Sequence, residues 1–159
     1  MTTPEQRLEE LGLELPAPPA AVARFVNVVR VGDLLFTAGH GPVRDGEFPF
    51  TGKLGAGVDV ETGRRAAELT ILNVLASVRL EVGELSRISR VVKLLVMVNS
   101  APDFAQQPAV ANGASDLIVE AFGEEVGAHA RSAVGMAALP FDISVEIEGI
   151  FAVRATSTA

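Results

Sequence analysis

The chain has 159 residues, enough for one domain with a sizeable core and too few to expect two. Hydrophobic residues make up 48% and charged residues 21%, and eight Phe with no Trp or Tyr leave the core to aliphatic side chains. A net charge of −7 disfavours a broad electrostatic footprint for nucleic acid, and the lack of cysteine excludes disulfides, thiolate metal sites and a Cys nucleophile.

The stretch MTTPEQRLEELGLEL is acidic and amphipathic, so it lacks the basic-then-apolar pattern of a secretory signal. No apolar run approaches the roughly 20 residues needed to cross a bilayer. With no cysteine, this fits a protein of the reducing cytoplasm. A mean hydropathy of +0.35 is high for a monomer of this size and points to apolar surface buried between subunits.

In chain order, residues 4–11 read as a short helix, and LPAPPAA (15–21) as a stiff connector that cannot continue it. FVNVVRV and LLFTAG are β-rich runs separated by Gly32-Asp33, a two-residue turn that predicts a hairpin. Residues 40–57 are dense in Gly and Pro and read as a loop with one short hairpin. Asp59 then caps a long helix to about residue 82, where Ile71, Val74, Leu75, Val78 and Val82 form one stripe and Gly83 supplies the stop.

SRVVKLLVMVNSA predicts a strand over 89–99 that is apolar on both faces, hence central. Pro108 suits the first turn of a second helix, with Val110, Ala114, Leu117, Ile118 and Ala121 as its buried stripe and Gly123 as its end. Residues 131–138 and 143–153 read as a final hydrophobic hairpin joined by LPFD. Two helices with one apolar stripe each lie most simply on one face of a single mixed sheet, an α+β fold.

The final pair of strands carries the chemistry. Arg131 offers a planar fork of donors that matches a carboxylate bidentately and stays charged at any working pH. Ala133, Gly135 and Ala137 share its face in strand alternation and are small enough to leave room for a ligand. Glu146 and Glu148 lie on one side of the last strand, where a glutamate could hold an attacking water and protonate a departing nitrogen. The competing reading is a plain ion pair across the hairpin or a subunit boundary. No dinucleotide fingerprint, phosphate loop or metal-ligand spacing is present, so neither a cofactor nor a metal is expected.

TAGHGP (37–42), RVVKLLVMVNSAPDF (90–104), and above all ARSAVGMAALP followed by VEIEGI resemble the RidA/YjgF/UK114 family over residues 22–153. The resemblance implies a chorismate mutase-like fold in residues 22–159, preceded by the short helix and connector of residues 1–21. It also implies a homotrimer that binds small carboxylates in clefts between subunits. The activity it implies is hydrolysis of reactive 2-imino acids, such as 2-aminoacrylate and 2-iminobutyrate, to 2-keto acids and ammonia.

Arg131 then becomes the carboxylate clamp. Glu148 matches the family's glutamate, with Glu146 as the alternative base. Phe25, Gly39, His40 and Asn112 complete the expected substrate-binding set. Phe25 stands where tyrosine is common, Ala38 where serine is common, and His40 where glutamine is common. Asn112 matches the family's helix asparagine in an uncertain register, because about four extra residues separate Asp103 from Phe122. His40 either supplies a donor or acid or is a partly exposed loop residue without a role, and His129 packs beside Arg131. Two other readings stand beside the deaminase: a non-catalytic carboxylate-binding protein, and an endoribonuclease using the two histidines. The −7 charge and the missing aromatic stacking stripe disfavour the last.

Overall fold

Twelve consecutive residues, Ile88–Asn99, form the longest strand, and the sheet is built around it. The computed structural model describes residues 2–20 and 23–155. Ala21 and Val22, where the connector is expected to meet the main domain, lie outside the described residues. The elements are α1 (Pro4–Glu10), β1 (Val28–Val31), β2 (Leu34–Thr37), the two-residue strands β3 (Lys53–Leu54) and β4 (Gly57–Val58), α2 (Val60–Val82), β5 (Ile88–Asn99), α3 (Gln107–Gly127), β6 (Ala130–Met136) and β7 (Val145–Val153).

The main sheet has the order β1-β2-β7-β5-β6, antiparallel except for the parallel pair β5–β6. The fold is therefore α+β with one main mixed sheet, as the periodicities predict, while β3 and β4 pair apart from it as a small parallel ladder. The last two strands do not form a hairpin, however. Both pair with β5, one on each side, and the Leu-Pro segment carries the chain across the end of that strand. β6 stops at Met136 rather than Ala138, because the Ala137 carbonyl turns to accept a hydrogen bond from Lys53 Nζ.

Helix boundaries follow the sequence signals closely. The Asp59 side chain accepts from the Thr62 amide at 2.7 Å, which also holds its carboxyl below the usual carboxylate range, and Gly83 ends α2 with φ of 90°. The expected stripe of α2 is fully buried apart from a trace at Val82. Gly123 breaks α3 (φ 75°, ψ 164°) without ending it, since a further helical turn runs to Gly127. The expected short hairpin in the loop is the Arg44–Glu47 turn, where Asp45 and Gly46 both take positive φ as a tight primed turn requires.

Both long helices cover one face of the sheet. Leu94, Val96 and Val98 of β5 and Val145, Ile147 and Phe151 of β7 are buried beneath them. α1 joins the same core through Leu8, and Glu5 accepts from the Leu85 amide at 2.6 Å. The other face has no helix upon it. Val29, Val31, Leu34 and Phe36 stand exposed there on β1 and β2, and their cross-strand partners continue the surface through Ile150, Glu148 and Glu146 to Leu95 and Met97. This explains why β5 is apolar on both faces although one chain buries only one of them.

The α2–α3 contact depends on Gly113. A methyl group there would sit 2.2 Å from the Arg64 carbonyl oxygen, a backbone atom that cannot swing away. Gly113→Ala should therefore destabilise the protein by about 3 kcal/mol or more, at or above the upper end of ordinary overpacking. Chemical denaturation measures this, and a loss below about 1 kcal/mol would show that the two helices can separate freely.

Candidate functional site

Arg131 lies on β6, the edge strand, opposite Leu94 of β5, so its side chain shares the helix-covered face. There α3 meets it with residues spaced at i, i+4 and i+7, which fall on one side of a helix. Nη1 donates to Asn112 Oδ1 at 2.9 Å and to Ser115 Oγ at 3.0 Å, and Nη2 donates to the Pro108 carbonyl at 3.4 Å. Three neutral partners hold the guanidinium and leave its charge uncompensated. Among the described residues, the ion pairs are Arg30–Asp33 and Arg64–Asp116, and neither reaches it. The ion-pair reading of Arg131 with Glu146 or Glu148 does not hold within one chain.

The chain that positions Arg131 continues to His129. Its Nδ1 lies 2.6 Å from the Gly127 carbonyl, which can only accept, so Nδ1 carries the proton. Nε2 is then an acceptor, and the Ser115 hydroxyl donates to it at 3.0 Å. His129 thus bonds within the site rather than merely packing beside it. Along the strand, Ala133 is half-buried and Gly135 exposed. A side chain at Gly135 would meet Gln107 Nε2 at 2.8 Å and Ser100 Oγ at 3.1 Å, so the space over this glycine is taken by an amide and a hydroxyl that bond to each other and to nearby carbonyls.

The glutamates belong to the opposite face. Glu148 pairs with Leu95 and Glu146 with Met97, both on the uncovered side of the sheet, with β5 between them and β6. The two differ sharply in environment. Glu148 is exposed, whereas Glu146 is half-buried, and burial first, then repulsion from Glu148, holds the Glu146 carboxyl above the usual carboxylate range. Its oxygen lies over Gly39, where a Cβ would come within 2.0 Å of it. Among the described residues the Glu146 carboxylate makes no hydrogen bond.

His40 is not a partly exposed loop residue. It is 4% exposed and bridges to Ile147 on the helix side, with Nδ1 donating to the Ala38 carbonyl and Nε2 accepting from Ser77 of α2, both at 2.8 Å. Its ring faces away from Glu146, so it supplies no donor to the open face. Phe25 is exposed ahead of β1, at the far end of the sheet from β6. With neighbouring strands about 4.8 Å apart, that separation is roughly 19 Å. The predicted set therefore splits into Arg131 with Asn112, Glu148 on the open face beside the alternative Glu146 and Gly39, a buried His40, and an outlying Phe25. Ser115 and Gln107 were not singled out from the sequence, because a serine and a glutamine on a helix carry no signal until the strand beside them is known.

A family model described as "YjgF/chorismate_mutase-like, putative endoribonuclease" matches residues 5–152. The chain belongs to the YjgF/RidA family. Its relatives include protein TCP17 of Trypanosoma cruzi, 47% identical over 90% of this chain and 89% of that one. The 2-iminobutanoate/2-iminopropanoate deaminase of Escherichia coli is 35% identical over 83% of this chain and 89% of its own. Among solved structures, Atu1372 of Agrobacterium tumefaciens, of unknown function, superimposes with a TM-score of 0.89 at 45% identity, covering 96% of this chain and 93% of that one. E. coli TdcF with bound serine gives 0.61 at 29% identity over 89% and 96% of the two chains.

Burial depresses the His40 imidazole, although its bond to the Ala38 carbonyl works the other way. A base with a lowered folded value binds fewer protons than the unfolded chain. Its stabilisation is complete above the unfolded value of about 6.5 and is lost as pH falls from there toward the folded value. His40→Gln should flatten the dependence of unfolding free energy on pH as pH falls below about 6.5. An unchanged slope would mean that His40 protonates without leaving the core.

Proposed function

We propose that this YjgF/RidA member hydrolyses small 2-imino carboxylates to 2-keto acids and ammonia in sites shared between copies of the chain. One observation carries the reading: an uncompensated guanidinium, fixed by Asn112 and Ser115 beside a strip of small residues. Such a fork takes a carboxylate in two parallel bonds. The E. coli deaminase and the serine-bound TdcF are consistent with a substrate of this size and charge.

The glutamate must come from elsewhere, because within one chain it stands on the opposite face of the sheet. The uncovered apolar face supplies the reason for association, and a trimer places the open face of one copy near the β6 edge of the next. We assign the base to Glu146 rather than to Glu148, the residue preferred on sequence. A carboxyl held above its ordinary value by partial burial, with both oxygens free, is suited to taking a proton from water and passing it on to the imine nitrogen. Glu148, by contrast, is exposed to solvent. Gly39 keeps the space that the carboxylate occupies, so it acts through Glu146.

With 2-iminobutyrate generated in situ by an amino-acid dehydratase, Arg131→Ala should abolish turnover and weaken binding of 2-keto acids. Arg131→Lys should rescue binding only partly, since an ammonium cannot make paired contacts. Glu146→Gln should keep ligand affinity and lower turnover about 10²–10⁴-fold, whereas Glu148→Gln should change it little. Mixing unfolded Arg131→Ala and Glu146→Gln chains and refolding them together should restore part of the activity, because some shared sites then hold both native residues. No recovery on mixing would place the two residues in one chain's site. A wild type that binds keto acids through Arg131 yet never outpaces spontaneous hydrolysis would make the protein a carboxylate-binding member of the family. Phe25 and Ala38, which lack the hydroxyls common at their positions, would be the first places to look.

A further inference from the structure

The hydrogen-bond chain from the Gly127 carbonyl through His129 to Ser115 has more capacity than a support for Arg131 needs. A hydroxyl oxygen offers one donor and two acceptor positions. In Ser115 the donor is given to His129 Nε2 and one acceptor is filled by Arg131 Nη1, which leaves one lone pair unused. Ser115 is half-buried and bonds the guanidinium directly, so it stands beside whatever Arg131 holds. The Gly127 carbonyl at 2.6 Å fixes the imidazole tautomer and leaves Nε2 as the acceptor. Nucleophile-side hydroxyl, base and orienting acceptor stand in one line, which is the arrangement that moves protons.

We propose that Ser115 and His129 form a proton relay that drives the second half of the reaction, the breakdown of the carbinolamine. This rests on the deaminase reading and assigns Ser115 as a catalytic residue that meets the substrate, with His129 acting through it. Once water has added to the imine carbon, the intermediate carries O–H and NH₂ on the carbon next to the carboxylate. Its O–H proton passes to Ser115 Oγ while the Ser115 proton moves to His129 Nε2. The oxygen's electron pair forms the new C=O bond. The imidazolium returns the proton through Ser115 to the nitrogen, the C–N bond breaks with its pair on nitrogen, and ammonia leaves. One proton travels from oxygen to nitrogen, and Ser115 and His129 end as they began. Glu146 serves addition and the relay serves collapse, each from its own side of the substrate.

Ser115→Ala and His129→Gln should each lower kcat about 10²-fold while KM and the affinity for 2-oxobutanoate stay within a few-fold of wild type, because Asn112 still holds Arg131. Ser115→Thr, which keeps the hydroxyl, should retain kcat within a few-fold. A proton inventory in mixed H₂O and D₂O should show more than one proton in flight for wild type and one fewer for His129→Gln. If both loss-of-relay variants turn over as wild type does while Arg131 and Glu146 remain essential, the relay is overturned and the deaminase reading stands. If their loss appears in KM and 2-oxobutanoate affinity instead of kcat, the pair only positions Arg131 and the relay is likewise overturned. A wild type without turnover removes the reading and the relay together.

Discussion

A parallel neighbour cannot be reached by a tight turn. For β6 to run alongside β5 in the same direction, the chain must cross over the sheet between them, and α3 is that crossover. This one requirement decides which face is covered. It lays α3 over the face of β6 that carries Arg131, so the helix that closes the fold also supplies Asn112, Ser115 and the Pro108 carbonyl to the guanidinium. The close seat of α3 on α2 at Gly113 then sets how deep that helix lies, and hence where its polar residues meet the strand.

The same topology forces the glutamates apart from the arginine. β7 returns to the free side of β5 and buries Val145, Ile147, Gly149 and Phe151 under the helices, so the alternate residues Glu146 and Glu148 must face outward. No rotamer can bring them back through a packed sheet. The carboxylates and the guanidinium are thus kept on opposite sides by the strongest rule of strand geometry, the two-residue period. What looks in sequence like one cluster of charges is in space two separate half-sites.

That distinction marks how far the sequence could be read. Element types and their ends were legible because each rests on local chemistry: Asp59 and Gly83 around α2, Gly32-Asp33 between β1 and β2, and Pro108 in the first turn of α3. Membership of the core was legible for the same reason, since the stripes of α2 and α3 follow helical spacing. The order of strands was not. LPFD between two apolar runs satisfies every local signal of a hairpin, and nothing in it reports that β5 will insert between them. The error propagated, because a hairpin would have put Arg131 and the glutamates within reach of one another. His40 failed for a related reason. A histidine in a Gly-flanked turn reads as exposed, and only the bridge to Ile147 and the presence of Ser77 on α2 draw it inward.

The uncovered face also has an electrostatic meaning. A carboxylate such as Glu146, half-buried and with no hydrogen bond among the described residues, is unfavourable on an isolated surface, and its raised pKa expresses that. Covering the apolar residues around it with a second copy would desolvate it further and raise the pKa again, unless the partner brings a positive charge or a donor. Arg131 on the edge strand is such a charge, since the described residues of its own chain give it three neutral acceptors and no anion. Each half-site is therefore electrostatically incomplete in the direction that the other would complete.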